Sequence, residues 1–203
     1  MSEVLTLTFA EIEFFLRTRP VQQDGLRERL RLADGGAAVA AAGVASLVAR
    51  GLCTVEGSEV RPTPQAMIVI QGLTEAHTMT EAVGWIEGRT IVMHLLTAAG
   101  IRLAIFPSAY GQFRTELLDP AEPLADPVVR FLDACTGGPG TALLVRSGQG
   151  PAEVSAAIAR DADGQWFLSD TADSPDRGVP TTREAVVARL AALLGPQPVG
   201  ATR

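Results

Sequence analysis

The sequence predicts an α+β protein: N-terminal winged-helix-like helices with a hairpin, then a mainly antiparallel sheet covered by two helices. Three observations predict it. Thr8-Phe9-Ala10-Glu11 has the form of a capping box set before an apolar stripe of helical period. Ile101, Leu103 and Ile105 alternate along the chain, which is the period of a strand. Val128, Phe131, Leu132 and Cys135 fall at i, i+3, i+4 and i+7, the spacing of a buried helix face. The helical region is placed at 1–78 and the sheet region at 79–195, with helices near 126–136 and 182–194. Residues 196–203, beyond the last apolar stripe, read as a disordered tail.

The elements follow in order. Val4 to Leu7 reads as a strand, and the helix after the Thr8 cap runs to about Arg17. A second helix starts near Asp24, carries Leu26, Leu30 and Ala33, and is stopped by Gly35-Gly36. Ala37 to Arg50 is the third helix, with Gly51 at a position suited to a left-handed residue. Leu52 to Val55 and Glu59 to Arg61 flank a Gly turn as a hairpin wing. Thr63-Pro64 then opens a fourth helix, threonine as cap and proline in the first turn. From Glu81 the period changes to two. Val83–Ile86, Thr90–Thr97, Ile101–Phe106 and Gln112–Leu118 predict a four-stranded antiparallel meander, with Glu87-Gly88 and Ala98–Gly100 as links. Asp126-Pro127 caps the next helix, which Gly137 ends. A smaller cycle follows: a strand at Thr141–Arg146, a pair from Ala156–Arg160 and Gln165–Ser169 across Asp163-Gly164, and a last helix capped by Thr181 and Glu184. The similar runs Val128–Leu132 and Val186–Leu190 are consistent with a two-fold repeat in which each helix covers one side of a shared sheet.

Composition narrows the chemistry. All 17 basic side chains are arginine, so there is no lysine for a P-loop, a Schiff base, pyridoxal phosphate or a biotinyl or lipoyl group. A formal charge of −6 argues against a chain built to neutralise nucleic-acid backbone. The start Met1-Ser-Glu-Val lacks the positive region and apolar run of a signal peptide, and no apolar run reaches membrane-spanning length. Cys53 and Cys135 lie in separate apolar stretches and read as reduced core thiols of a cytoplasmic protein. In the would-be recognition helix only Ser46 and Arg50 could address a base or a phosphate, so nucleic-acid binding is not expected.

No catalytic constellation emerges. His94 stands within an apolar strand and His77 after a helix, neither with a neighbour at metal-ligand spacing. The glycine-rich runs Gly137–Gly140 and Gly148–Pro151 read as turns, since neither has the strand-loop-helix context of a dinucleotide site. Glu81, Glu87, Glu116 and Asp119 lie on or beside strands, with no fixed separation to make an acid–base pair. No cofactor or metal is expected. Trp85, Phe106, Tyr110 and Phe113 cluster in the meander, and these four aromatics are the candidate partner-contact residues.

The passages Leu5-Thr6-Leu7-Thr8-x-x-Glu11, Ala49-Arg50-Gly51-Leu52 and Val60-x-Pro62 resemble those of the EspG-like proteins. Phe167-Leu168-Ser169-Asp170-Thr171, with Arg177-Gly178 beyond, is similar to a passage in the C-terminal half of that family. The EspG-like proteins are cytoplasmic substrate chaperones of type VII (ESX) secretion in high-GC bacteria. The resemblance implies an α/β fold with a pseudo-two-fold central sheet. It also implies capture of an apolar helical tip of a secreted substrate, with no catalytic residues. The expected function is therefore a non-enzymatic cytoplasmic chaperone or adaptor with a helical secreted protein as partner and no membrane insertion. The alternative is a winged-helix transcriptional regulator with an α/β sensing domain, and a small hydrolase using carboxylates stands third. The sequence leaves the oligomeric state open.

Overall fold

The structure is a computed structural model that describes residues 4–21, 25–86, 88–136, 141–148, 153–170 and 178–195. Its elements in chain order are β1 (Val4–Thr8), α1 (Phe9–Thr18), α2 (Leu26–Arg29), α3 (Gly36–Ala49), β2 (Cys53–Glu56), β3 (Glu59–Pro62) and α4 (Pro64–Thr74). There follow β4 (Thr78–Ile86), β5 (Arg89–Ala98), β6 (Ile101–Pro107), β7 (Gln112–Leu118) and α5 (Ala125–Cys135). The chain continues through β8 (Thr141–Ser147), β9 (Val154–Arg160), β10 (Trp166–Ser169), β11 (Val179–Thr181) and α6 (Arg183–Leu194). Nine strands form one sheet in the order β1-β7-β6-β5-β4-β8-β9-β10-β11, and β2 with β3 makes a separate hairpin. The fold is α+β with a mainly antiparallel sheet, as the alternating stretches and short links predict.

Contacts divide the chain into two compact units, Met1–Met79 with His94–Pro120, and Thr80–Met93 with Ala121–Arg203. In the first, β1 pairs antiparallel with β7 and β7 with β6, so Leu7 stands opposite Phe113 and Thr115 opposite Ile105. Helices α1, α3 and α4 close its core, where Leu7, Ile12, Phe15, Leu47 and Leu73 are fully buried. Each such side chain contributes about 1.5–3 kcal/mol by leaving water. Thr8 caps α1 with the full reciprocal box, and Thr63 caps α4 with proline in its first turn. Gly51 takes the left-handed conformation after α3 (φ +69°).

The second helix is shorter than its spacing suggested. Arg31 adopts a positive φ of 54°, which ends α2 after a single turn and swings Leu32, not Ala33, onto the buried side. What remains of the winged-helix order is a strand, one full helix, a single turn, a full helix, a hairpin and a helix.

In the second unit β4 pairs with β8, β8 with β9, β9 with β10 and β10 with β11, all antiparallel. Helices α5 and α6 pack against each other, α5 on β8 and α6 on β9. Two helices in mutual contact share a face, so they do not cover one side each, as the similar runs suggested. Beneath them lie Ala82, Leu143, Val145, Ala156 and Ile158, all buried. Gly84 is required here, because a Cβ on it would lie 2.4 Å from Cys135 Sγ.

Helix α5 starts at Ala125 rather than after an Asp126 cap, since the Asp126 N–H already donates to Pro123 O (3.0 Å). The last helix is capped by Thr182, whose hydroxyl accepts from Ala185 N, because Thr181 is taken into β11 opposite Trp166. Strand β4 opens at Thr78, ahead of the first alternation in the sequence. The expectations for Asp24, Glu87, Gly137–Gly140, Gln149–Pro151, Thr171, Arg177 and the tail at 196–203 lie outside the described residues.

Candidate functional site: an open apolar sheet face

Helix α3 is where a DNA reader would present its side chains. Ser46 Oγ donates to Glu11 Oε1 (2.8 Å), and Arg50 Nη1 donates to both Glu11 oxygens (2.8 and 2.7 Å). Arg50 Nη2 donates in turn to the Thr6 carbonyl (2.7 Å). Glu11 is fully buried, so these donors compensate a carboxylate withdrawn from water. The two residues that could address a base are thus turned inward. Arg27 and Arg17 are similarly joined to the buried Glu13 (2.7 and 2.6 Å). In the wing, Arg61 is paired with Glu56 and Glu59.

The second unit offers a different surface. Strict alternation sends Leu143, Val145, Ala156 and Ile158 toward α5 and α6, and their neighbours to the opposite face. Across that face, Trp85 stands opposite Ala142, Ala142 opposite Ala159, and Ala159 opposite Phe167. The next row is Val83, Leu144, Ala157 and Ser169, and beyond it come Glu81, Arg146 and Ser155. Trp85 is exposed (39%) and all the others are half-buried. Both helices of the unit lie on the other side, which is why this face stays open. Ala142, Ala157 and Ala159 form a low floor with Leu144 beside them, while Trp85 and Phe167 stand at its sides. At the strand ends Ala142, Ala159, Ala162, Arg160, Asp161 and Phe167 border an open depression of about 310 Å³.

The four aromatics singled out from the sequence do not form one site. Trp85 belongs to this apolar face. Phe106 lies in the other unit, half-buried, with the Arg114 guanidinium 4.2 Å from its ring centroid. Tyr110 is fully exposed at the β6–β7 link, in the left-handed region (φ 60°). Phe113 is a core side chain instead of a contact residue, because its register with Leu7 turns it toward the helices. Val83, Leu144 and Phe167 escaped notice in the sequence. For Leu144 part of the signal lies in the sequence, since Thr141–Arg146 is apolar at both odd and even positions and so carries apolar side chains on both faces of its strand.

Burial shifts one histidine and both cysteines. Burial, reinforced by the charges of Arg29 and Arg31, pushes His94 down to about 4, so it is neutral at physiological pH. Burial pushes the Cys135 thiol up to about 11 and raises that of Cys53, which leaves both as poor nucleophiles. Among the described residues no group of three or more His, Cys, Asp or Glu side chains is placed to hold a metal ion. Nor is any helix among them long and apolar enough to cross a membrane.

Fold and site together define an α+β protein whose second unit packs both of its described helices on one side of its strands and carries an apolar row on the other. No protein-family model and no curated protein matches the chain.

Proposed function

We propose that this chain is a non-enzymatic chaperone or adaptor that holds the apolar stripe of a helical segment of another protein on the open face of β4, β8, β9 and β10. The observation that carries the reading is the row Trp85, Ala142, Ala159, Phe167 with Val83 and Leu144 beside it. Trp85 and Phe167 stand three strand spacings apart, about 14 Å. A helix with its side chains is about 10–12 Å across, so it fits between them over a floor of alanines. Apolar capture of this kind relies on shape and a polar rim and needs no cofactor. In the setting that the EspG-like resemblance implies, the partner is a secreted helical protein kept soluble in the cytoplasm before export. The regulator reading gains nothing from helix α3, whose Ser46 and Arg50 are committed to Glu11.

The test is a photo-crosslinking side chain placed at Leu144 in the full-length protein, expressed with the helical secreted proteins of its own genome. Cross-links that map to one apolar helical stripe, and that disappear in Trp85→Glu, support the reading. Cross-links that persist unchanged in Trp85→Glu would overturn it, as would duplex DNA retained with a steep salt dependence and no protein partner.

A further inference from the structure

Strand β1 is the end strand of the nine-stranded sheet, and its outer edge is a potential template for another chain. In an antiparallel strand a residue's N–H and C=O point to the same side, and residues i and i+2 agree. The Thr8 N–H donates to Glu11 Oε2 (2.8 Å), a group outside the sheet, so Thr8, Thr6 and Val4 all point away from β7. The Thr6 carbonyl accordingly accepts from Arg50 Nη2 (2.7 Å). Arg50 Nη1 holds the same Glu11 carboxylate through both oxygens (2.8 and 2.7 Å). One ion pair therefore occupies an outward acceptor on Thr6 and an outward donor on Thr8. An antiparallel strand laid along this edge would need both, since a residue opposite Thr6 uses its carbonyl and one opposite Thr8 uses its N–H.

We propose that the Glu11–Arg50 pair is an edge guard, which keeps β1 from pairing with a second copy of this chain. The arginine's reach depends on how closely α3 approaches α1, a closeness set by Gly43, whose missing Cβ would lie 2.0 Å from the Ala10 carbonyl oxygen. Ser46 adds a fourth hydrogen bond to the Glu11 carboxylate (2.8 Å) but does not touch the strand, so the guarding contact is Arg50's own. The edge strand at the other end, β11, carries Pro180 at its centre, a residue with no N–H to offer. Each end strand is thus blunted by a different device.

The test uses Arg50→Lys in the full chain. A lysine keeps a positive charge on Glu11, so the buried carboxylate stays paired, but a single ammonium does not span Glu11 and the Thr6 carbonyl together. The mass in solution is followed by light scattering over a concentration series. Arg50→Lys is expected to self-associate at least about tenfold more tightly than the native chain, about 1.4 kcal/mol. Adding Thr6→Pro removes an outward N–H without touching the β1–β7 ladder, and is expected to return the mass to the native value. Should Arg50→Lys fail to fold, the double variant Glu11→Gln/Arg50→Gln, which removes both charges of the pair, gives the same comparison with and without Thr6→Pro. An association constant unchanged from native in Arg50→Lys would overturn the proposal. So would association equally strong with proline at position 6, because the contact would then not be the β1 edge.

Discussion

Gly43→Ala sets two effects of opposite sign against each other. In an unobstructed helix interior the change stabilises by about 1 kcal/mol, through better helix propensity. Here the added Cβ would lie 2.0 Å from Ala10 O, 2.5 Å from its carbonyl carbon and 3.0 Å from Glu11 N. All three are backbone atoms of α1, so no rotamer change relieves them. Carbon and oxygen settle at about 3.3 Å or more, so α1 and α3 must part by about 1 Å. That parting loosens Ile12, Phe15 and Leu47, each fully buried. Overpacking of this kind costs about 1–3 kcal/mol, and a backbone collision belongs at the upper end. Subtracting the propensity gain leaves a net loss of about 2 kcal/mol. Urea unfolding followed by far-ultraviolet circular dichroism measures it. Tryptophan emission is the wrong probe, since Trp85 and Trp166 both belong to the other unit. A Gly43→Ala protein as stable as the native one, or more so, would refute the close approach of the two helices.

Three further outcomes follow from buried groups. His94, brought down from 6.5 to about 4, is protonated first in the unfolded chain, so stability is complete above pH 6.5 and declines as pH falls to 4. The loss comes to about 3 kcal/mol, and His94→Leu should flatten that window; an unchanged slope in urea midpoints between those pH values sinks the assignment. Burial pushes Glu13 up, but hydrogen bonds from Arg27 and Arg17 outweigh it and hold the carboxyl below its ordinary 4.5. Its stabilisation is present above that pH and is lost as pH falls through the lowered value, so Glu13→Gln should lose stability at neutral pH yet show a shallower acid decline than native. An equal acid decline in both proteins counts against the pairing. Gly84→Ala meets Cys135 Sγ at 2.4 Å and should cost about 2 kcal/mol, whereas the Gly84→Ala/Cys135→Ala double variant should lose less than the two single variants summed. Simple additivity in that cycle would show the sulfur is not the obstacle.

Local chemistry was legible in the sequence and long-range partnership was not. The Thr8–Glu11 capping box spans three residues and formed as read. Glu11's other partners, Ser46 and Arg50, lie 35 and 39 residues away, and no spacing rule connects them. Leu26 and Leu30 had the right helical spacing, but the left-handed turn at Arg31 ends α2 early, and arginine carries no signal for it. The sequence favours Thr181 as the cap of α6, but the pairing of Thr181 with Trp166 across β10 and β11 leaves that role to Thr182. The open face was the hardest feature to see. Strand β8 is apolar on both sides, so its sequence is silent on which side is covered until α5 and α6 are known to share one.

The arginines differ in what their geometry demands. Arg61 with Glu56 and Glu59, Arg130 with Glu122, and Arg183 with Asp133 are exposed pairs, and such pairs contribute about 0–1 kcal/mol each. A lysine would serve nearly as well there, so composition alone accounts for arginine. Their effect is on the surface field: each of these three cations is neutralised by a neighbouring acid. Arg50 is another matter. It meets a fully buried carboxylate through both oxygens and a strand carbonyl with its other nitrogen, a reach that needs a planar fork. Deleting that fork outright would strand Glu11 as an unpaired buried charge, at about 3 kcal/mol for a pair whose cation is partly exposed. The same side chain therefore removes the most promising DNA contact from α3, compensates the core's buried acid and closes an edge of the sheet. With Ser46 and Arg50 of α3 engaged in this way, the proposed partner site rests on the apolar row of β4, β8, β9 and β10.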